Sequence, residues 1–438
     1  MQTKNINYTL LLLLFSFFQL NVCLAQETKN ETLQLNLKKA IEMALNSSES
    51  YKIRSNTVKY KEAEYRKERS DKLPQINGSL TWSNNFYYPS IASTASTRDY
   101  QLDSGVTVEQ KIFTFGKVSS AVKAAKKDIE ASRYDKESFK QKVIYDTKLA
   151  YYSAYLAKET LEIAKQSYNN AKENKKILRS RTISGRASRY DNIKISADIS
   201  SRKPVVDNAY TDYDSAMETL RVVVGIDPGI KIGLVEKTLD NYPDFKRDEL
   251  ALSLYHNQPA IKALAKLIEK NQSLISSKKG NFYPELSLFG SWNHKGSSND
   301  FEVGERYLED YGVAGLKVNL PIWTGGKTAA ELAQARIDKE NAELEYKKDK
   351  EDYLLELDKA LSRYKGFLKT LDSNKEAVYL AEEAFEVSQE MFKAGKISIV
   401  DLNDSELKLT NEKINKEITL FNINITLAKI ERLALVGD

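Results

Sequence analysis

The sequence predicts a mainly α-helical protein with a β-barrel part, built from two tandem strand–long-helix repeats. Three observations support this fold class. The stretch Tyr100–Lys117 begins as a strand with alternating apolar and polar residues and ends in a Gly-Lys turn. Roughly 65 residues without Gly or Pro follow it, enough for a continuous helix on the order of 100 Å long. The alternating strand and the Gly-Lys turn recur in Tyr311–Lys327, at an offset of 210 residues, the separation of Lys117 from Lys327, and a second long helical stretch follows, interrupted in its glycine-free pattern by Gly366 alone.

The first repeat is predicted to span residues 26–225, after a flexible lead-in over 26–36. Pro74 stops its first helix, because the residue before a proline disfavours the helical region. Pro204 is predicted to kink its last helix. The predicted elements, in chain order, are a helix Leu37–Asp71, strands Gln75–Tyr88 and from Tyr100, a long helix Lys117–Arg181 and a return helix Arg189–Val224.

The second repeat, residues 248–438, follows a predicted linker over 226–247 and has the same order of elements. Trp292 is the counterpart of Trp82, and Pro259 is expected to delay the start of the first helix. The predicted elements are a helix Asp248–Lys279, strands Glu285–His294 and from Tyr311, a long helix Lys327–Lys393 and a last helix Ser398–Leu435.

Both long helices carry a seam of small and apolar residues at heptad-like spacing, which permits close packing against other helices. Their remaining positions are densely charged, so these helices are expected to lie in water rather than in lipid. The seam residues are Val143, Thr147, Ala150, Ala154, Ala157, Leu161, Ala164, Tyr168 and Ala171 in the first helix, and Tyr353, Leu357, Ala360, Tyr364, Phe367, Leu371, Val378, Ala381 and Phe385 in the second.

The N-terminal residues 1–25 read as a secretory signal peptide, with Lys4 before the apolar run Leu10–Phe18. Cleavage after Ala25 is favoured over lipidation at Cys23, because Val22 is a poor fit for the small residue required before a lipidated cysteine. Cys23 is the only cysteine, so the mature chain is expected to contain no disulfide and no thiolate metal site.

Composition disfavours several classes of function. The net charge of +5 is spread along helices of mixed sign, which argues against nucleic-acid binding. The only two histidines, His256 and His294, lie far apart in the pattern, and no catalytic group, metal site or cofactor motif emerges. The chain is therefore not expected to be an enzyme, to hold a metal or to use a cofactor.

Four predicted strands of this length suit an outer membrane but cannot close a barrel alone. Open strand edges would leave backbone groups unsatisfied in lipid. Three copies of the chain would supply twelve strands, an even number that can close. The sequence therefore predicts an oligomer if these strands enter a membrane.

The arrangement resembles the TolC family of outer-membrane efflux proteins over nearly the whole mature chain. Each repeat contains a strand led by a proline, a strand that ends in a Gly-Lys turn, a long helix and a Gly-x-x-Ser-x-x-Asp helix break. The most specific local match is Phe392–Asp404. The resemblance implies a homotrimer with a twelve-stranded β-barrel and a long periplasmic α-helical barrel. It also implies a periplasmic adaptor and an inner-membrane RND or ABC pump as partners.

Family members line the periplasmic entrance with an acidic ring just after the second helix break, and Asp401 and Asp404 match its two carboxylates. From the residues alone, Asp401 is also expected to cap a helix N-terminus. The family holds this entrance shut through a Tyr and an Arg, where this chain has Phe392 and Ile397. Lys396 is a candidate substitute at the same aperture.

The resemblance further implies that the two helix breaks are tips that contact the adaptor. The tip residues are Gly185, Arg186, Ser188 and Asp191 in the first repeat, with a basic Arg189, and Gly395, Ser398 and Asp401 in the second. Aromatic residues are expected to form girdles at the membrane interface. These are Trp82, Trp292, Tyr87, Tyr88 and Tyr311, with Trp323 equally open to packing at the helix roots.

The function expected from these features is an outer-membrane exit channel of a tripartite efflux system that conducts small molecules passively. Two alternatives stay open. One is an outer-membrane duct for type I protein secretion, and the other is a secreted coiled-coil scaffold that forms no channel. The scaffold accounts for the helices but leaves four amphipathic strands unexplained.

Overall fold

The computed structural model describes residues 32–86, 99–185, 187–235, 242–299, 301 and 308–436. Within these ranges the chain forms strands and helices that alternate in two similar series. In chain order they are β1 (Leu33–Leu35), α1 (Leu37–Ser47), α2 (Glu49–Ser70), β2 (Gln75–Asn84), β3 (Tyr100–Phe113), α3 (Lys117–Ile183), α4 (Arg189–Val224), β4 (Ile232–Leu234), α5 (Arg247–Asn257), α6 (Pro259–Gly280), β5 (Glu285–Ser298), β6 (Leu308–Asn319), α7 (Lys327–Lys393) and α8 (Ile399–Ala434).

The two series match helix for helix at the offset of 210 residues. α3 and α7 each contain 67 residues, and α4 and α8 each contain 36. The shorter helices agree as well, with 11 residues in α1 and α5 and 22 in α2 and α6. The repetition seen in the sequence therefore extends to the helix boundaries.

Each long helix packs along its return helix, α3 on α4 and α7 on α8. α3 also contacts α6 and α8, and these contacts join the first repeat to the second. At about 1.5 Å per residue, α3 and α7 are each on the order of 100 Å long. In the described part of the chain, no helix is both long and apolar enough to cross a membrane.

The predicted seams are buried almost throughout. In α3 they pack against α4, α6 and α8, and only Ala157 and Tyr168 remain partly accessible; in α7 the same holds for Tyr353 and Phe367. α4 continues without a break through the exposed Pro204, so that proline does not interrupt the helix. The helical body thus follows the predicted pattern.

The helix predicted over Leu37–Asp71 is divided at Ser48 into α1 and α2. The backbone N–H of Ser48 donates to the carbonyl of Ala44 and ends α1. The Ser48 hydroxyl accepts from the backbone N–H of Tyr51 at 3.2 Å, which caps α2. The single predicted helix was therefore wrong, because one serine ends one helix and begins the next.

The helix predicted over Asp248–Lys279 is likewise divided, at Gln258. Pro259 occupies the first position of α6, where its missing N–H would be unpaired in any case. The Gln258 amide donates to the carbonyl of Leu433 at 3.0 Å and fixes the break against α8. Pro259 thus begins a helix instead of delaying one.

The segments predicted as a flexible lead-in and a linker contain a short parallel ladder. β1 pairs with β4, with Leu33 opposite Ile232 and Leu35 opposite Leu234. Leu35 is fully buried and its carbonyl accepts from the Tyr151 hydroxyl at 3.1 Å. β1 and β4 therefore belong to the core that surrounds the middle of α3.

The remaining four strands form one antiparallel sheet in the order β2-β3-β5-β6. The register pairs Gly78 with Val106, Val106 with Trp292 and Trp292 with Gly312. β3 joins the first repeat to the second through β5. β2 and β6 lie at the two edges, and each has one strand neighbour among the described residues.

Candidate functional site

The sheet has one predominantly apolar face. Residues paired across neighbouring strands share a face, so Val106 and Trp292 lie together, and Leu102 places Trp82 on that face as well. The exposed apolar residues of this face are Ile76, Leu80, Trp82, Val106, Val108, Leu288, Trp292, Leu316 and Val318. Such a continuous apolar surface requires a lipid or protein partner.

Tyr311 lies on the other face. It pairs with Asn293, which pairs with Gly105, in a row one residue away from the row of Trp292. Alternation of side chains along the strands therefore directs Tyr311 to the face opposite Trp292, and a place for these residues at the membrane interface stays a prediction. Tyr87 and Tyr88 lie outside the described residues, and Trp323 is 86% exposed beyond the end of β6.

An aromatic cluster marks the end of the sheet farthest from the helices. The ring centroids of Trp82 and Tyr100 are 5.8 Å apart, and each lies 5.7 Å from the ring of Phe301. Edge-to-face and offset arrangements of this kind are favourable for aromatic pairs. Trp82 therefore belongs to a packed cluster, whereas Trp292 is 62% exposed.

The opposite end of the molecule carries the two tip turns between the long helices and their return helices. Gly185 and Gly395 have φ values of +73° and +78°, a backbone conformation that favours glycine. Ser188 and Ser398 then cap α4 and α8. Arg186 lies outside the described residues.

Each tip contains a complete capping box. The Asp191 carboxylate accepts from the backbone N–H and hydroxyl of Ser188 at 2.9 and 2.8 Å, and the Asp401 carboxylate accepts from Ser398 at 3.0 and 2.7 Å. These hydrogen bonds hold the pKa of both carboxyl groups below the ordinary value. Asp401 therefore has the structural role that the residues alone suggest.

The residues predicted for the aperture differ in accessibility. Asp404 and Lys396 are exposed beside the second tip. Phe392 is only 1% exposed and packs in a cluster shared by both hairpins, so its side chain does not line an opening in the single chain. We call this the tip cluster, and its buried members are Leu178, Ile195, Ala381, Phe385, Phe392, Ile399, Leu402 and Leu409.

Arg181 clamps the two tips together and was missed in the sequence. Its guanidinium donates to the carbonyl of Phe392 at 3.0 Å and lies 4.8 Å from the centroid of the Phe392 ring. It also lies near Asp191 and lowers the pKa of that carboxyl further. A cation at the end of the predicted long helix was the only available signal.

A buried ion pair joins the hairpins farther from the tips. Arg202 on α4 donates to Glu406 on α8 at 2.5 Å and to Asp198 at 2.9 Å. It also donates to the hydroxyl of Ser167 at 2.7 Å. The Glu406 side chain is 1% exposed, and burial raises its pKa even though Arg202 opposes that shift.

Comparison with known proteins identifies a family. The model of the outer membrane efflux protein family matches residues 40–225 and 250–429. The outer membrane efflux protein BepC of Brucella suis is 23% identical over 398 residues, which cover 90% of this chain and 83% of BepC. The solvent efflux pump outer membrane protein SrpC of Pseudomonas putida is 22% identical over 410 residues, 88% of this chain and 84% of SrpC.

Solved structures share the fold. The CmeC outer membrane channel of Campylobacter jejuni superposes with a TM-score of 0.79 at 19% identity, covering 91% of this chain and 85% of CmeC. The outer membrane protein VceC of Vibrio cholerae gives a TM-score of 0.78 at 18% identity, covering 91% and 96%. The chain therefore belongs to the outer membrane efflux protein family, whose members are proteins of the Gram-negative outer membrane and not enzymes.

Proposed function

We propose that three copies of this chain form an exit channel that conducts small molecules passively from the periplasm to the outside. The sheets would close into a twelve-stranded β-barrel in the outer membrane, and the helices would form a periplasmic α-helical barrel. The observation that carries the proposal is the sheet, which has an exposed apolar face and two edge strands, β2 and β6. Pairing β6 of one copy with β2 of the next would satisfy both edges.

The chain would then consist of a signal peptide over 1–25, a first repeat over 26–225, a linker over 226–247 and a second repeat over 248–438. Trp82 and Trp292 would face outer-membrane lipid on the apolar side of the sheet. Because relatives are named as outer-membrane proteins of solvent and toluene efflux pumps, we assign the energy of transport to an inner-membrane RND or ABC pump. A periplasmic adaptor would connect that pump to the channel.

The adaptor would bind the tip turns. Gly185 and Gly395 place two short turns at one end of the molecule, and Ser188, Asp191 and Ser398 fix their shape. Both turns are exposed at the glycine, which leaves them accessible to a partner. Arg186 would add positive charge to the first tip.

Asp401 and Asp404 would surround the periplasmic entrance, with Lys396 beside them. Six carboxylates from three copies would attract cations and disfavour anions in a narrow opening. Phe392 would not line the entrance itself. It would support the second tip by packing it against the first within the tip cluster. Asp404 is the cleaner position for a test, because Asp401 also caps α8.

The first experiment extracts the protein from outer membranes in mild detergent and compares its mass before and after boiling. We expect a trimer that becomes a monomer on heating, slightly lighter than the 49.8 kDa of the full sequence because residues 1–25 are removed. A soluble monomer or dimer would contradict the channel and favour a coiled-coil scaffold.

The second experiment measures ion selectivity of the trimer in a planar bilayer. Asp404→Asn should lower the ratio of cation to anion permeability, whereas the exposed Asp212→Asn on α4 should leave it unchanged. An equal ratio of cation to anion permeability in wild type and Asp404→Asn would contradict a position of Asp404 at the entrance. A trimer that conducts an unfolded protein substrate but does not conduct small molecules would favour the duct for type I protein secretion.

A further inference from the structure

The repeat makes it possible to derive a contact surface between copies of this chain, and the derivation rests on the trimer proposed above. Within one chain, the first repeat contacts the second where α3 meets α8. In a closed ring, the second repeat of one copy meets the first repeat of the next in the same way. For each contact inside the chain, the α3 residue then has its counterpart 210 residues later, on α7, and the α8 residue has its counterpart 210 residues earlier, on α4 of the next copy.

We propose that α7 of one copy docks on α4 of the next through three layers of residues. Leu355 meets Val222 in the first layer, and Asp358 meets Arg221 in the second. Lys365 and Lys369 flank Asp207 in the third. The partner is a second copy of the same chain, and the chemistry of each layer follows from a contact seen within the chain.

The first layer derives from Tyr145 and Arg432. The Arg432 guanidinium lies 4.8 Å from the centroid of the Tyr145 ring. The counterparts are Leu355 and Val222, which are 51% and 78% exposed in the single chain. Two exposed apolar side chains therefore stand where the geometry brings them together, and their contact removes both from water.

The second layer derives from Lys148 and Glu431, whose charged atoms are 2.5 Å apart. The counterparts are Asp358 and Arg221, so the signs are exchanged but the charges remain opposite. Both groups are already held in place. Arg247 donates to the Asp358 carboxylate at 2.7 and 2.8 Å. Arg221 donates to two backbone carbonyls at 2.8 and 2.7 Å and to the Glu218 carboxylate at 3.1 Å.

The third layer derives from Glu159 on α3 and Glu417 on α8. They lie one turn beyond Ile163 and Lys413, two residues that line the same cavity between these helices. Tyr155 is one further turn along the same face of α3. Two carboxylates therefore share this layer inside the chain, with Lys416 3.3 Å from Glu417. The counterparts are Asp207 and the two lysines Lys365 and Lys369, all exposed.

This exchange replaces repulsion between like charges by attraction between opposite charges. The seam between copies is therefore more complementary in charge at this layer than the seam within the chain. Such a difference favours closure with identical neighbours in head-to-tail order.

The spacing of these residues fits one continuous stripe. Leu355, Asp358, Lys365 and Lys369 recur at intervals of three, seven and four residues, which places them on one face of α7. Asp207 and Arg221 are four turns apart on one face of α4. The order is reversed between the two helices, as it is for α3 and α8 within the chain.

The test places cysteines at Leu355 and Val222 in the full chain, where Cys23 is the only native cysteine. After mild oxidation and boiling without reductant, Leu355→Cys/Val222→Cys should give covalent dimers and trimers. The matched pair Leu344→Cys/Val222→Cys, with Leu344 also exposed on α7, should give monomers only. Native electrophoresis of the same samples before boiling reports whether the trimer forms.

The outcomes separate this surface from the proposed function. A wild-type trimer with no crosslink in the Leu355→Cys/Val222→Cys protein would overturn the three layers and leave the channel intact. No wild-type trimer would overturn both. Crosslinks in both cysteine pairs would also reject the derived register.

A second set of variants does not depend on cysteine geometry. Asp207→Lys should lower the temperature at which the trimer dissociates, and combining it with Lys365→Asp and Lys369→Asp should restore that temperature. The exposed Asp212→Lys on the same helix should not change it. An equal loss in Asp207→Lys and Asp212→Lys would contradict the third layer.

Discussion

The two repeats have matching helix boundaries but differ in the side chains that reach across to the other repeat. Arg181 and Arg202 of the first repeat both bind groups of the second. At the same positions the second repeat has Met391 and Glu412, which cannot make these contacts. Helix boundaries thus depend on a few glycine, proline and serine positions, whereas the connection between hairpins depends on residues that the repeats do not share.

In the proposed ring this difference produces two kinds of seam. The seam inside each chain is closed near the tips by buried or half-buried arginines. The seam between copies lacks those arginines and depends on exposed apolar and oppositely charged residues farther along the helices. We therefore expect the tips of neighbouring copies to separate more easily than the two tips of one chain.

The largest expected effect comes from breaking the buried ion pair. Arg202→Ala leaves the Glu406 carboxylate without its partner in an interior site, which should cost about 3–5 kcal/mol of unfolding free energy. Thermal unfolding followed by circular dichroism measures this loss. Lys408→Ala, which removes an ion pair to Glu412 on the surface of α8, should cost less than about 1 kcal/mol.

The same pair predicts a pH dependence. The Glu406 pKa is already raised in the folded state, so this group favours the folded state at low pH and loses that contribution as pH rises through its folded pKa. Removing Arg202 raises the pKa further. The loss of unfolding free energy caused by Arg202→Ala should therefore become smaller as the pH is lowered from neutral to 5. An equal loss at both pH values would contradict a buried carboxylate at Glu406.

The next largest effect is expected at the C-terminal ends of the two return helices, α4 and α8, which differ in their last residue. α4 ends at Gly225 with φ +74°, and a Cβ there would lie 2.3 Å from the Cβ of Ser47. Gly225→Ala should therefore cost more than the ~1–2 kcal/mol that the left-handed conformation alone imposes. α8 ends instead at Leu435 with φ +51°.

Leu435→Gly removes the cost of the left-handed backbone conformation at this position, but it also loses partly buried apolar surface. The variant should therefore be about as stable as the wild type. Melting temperatures of the two variants provide the comparison. Equal destabilisation by Gly225→Ala and Leu435→Gly would contradict the difference between the helix ends.

A smaller effect is expected at the tips. Arg181→Met gives the first tip the residue that the second has, and it removes a hydrogen bond and a cation–π contact worth about 1–2 kcal/mol together. Trypsin should then cleave faster near Lys393. The neighbouring Arg179→Met on an exposed position is the control, and equal cleavage rates in the two variants would contradict the clamp.

The smallest effect is expected from the serine caps, which both tips contain. Ser188→Ala and Ser398→Ala should each cost about 1 kcal/mol, because both remove an equivalent helix cap. Hydrogen exchange of the tip amides measures the change. Since Asp191 and Asp401 have lowered pKa values, their capping contribution is present above the ordinary carboxyl pKa and is lost as pH falls through the folded value. A large difference between the two serine variants would show that the tips are not equivalent.

Much of the fold could be predicted because its signals are local. Gly185 ends a long run without Gly or Pro, Gly395 ends a run interrupted by Gly366 alone, and alternation around Val106 identifies a strand. The break at Ser48 was missed because a serine within a charged helical pattern is compatible with both a cap and a helix interior. β1 was missed because three residues give no periodicity.

The candidate site was less predictable than the fold. The capping role of Asp401 follows from a Ser-x-x-Asp spacing, which is local. The burial of Phe392 and the contacts of Arg181 and Arg202 depend on which helix faces lie between the hairpins, and a single sequence pattern does not specify this. Roles of Asp404 and Lys396 at the entrance stay predictions, since they depend on neighbouring copies.

The parallel ladder of β1 and β4 has a consequence for the order of folding. Leu33 pairs with Ile232, so the start of the first repeat stays open until a segment about 200 residues later has been synthesised and delivered. Closing so long a loop is slow, because entropy must be lost before the contact forms. The ladder therefore forms only after the first hairpin is complete. A chain interrupted before β4 would leave β1 unpaired and accessible to periplasmic proteases.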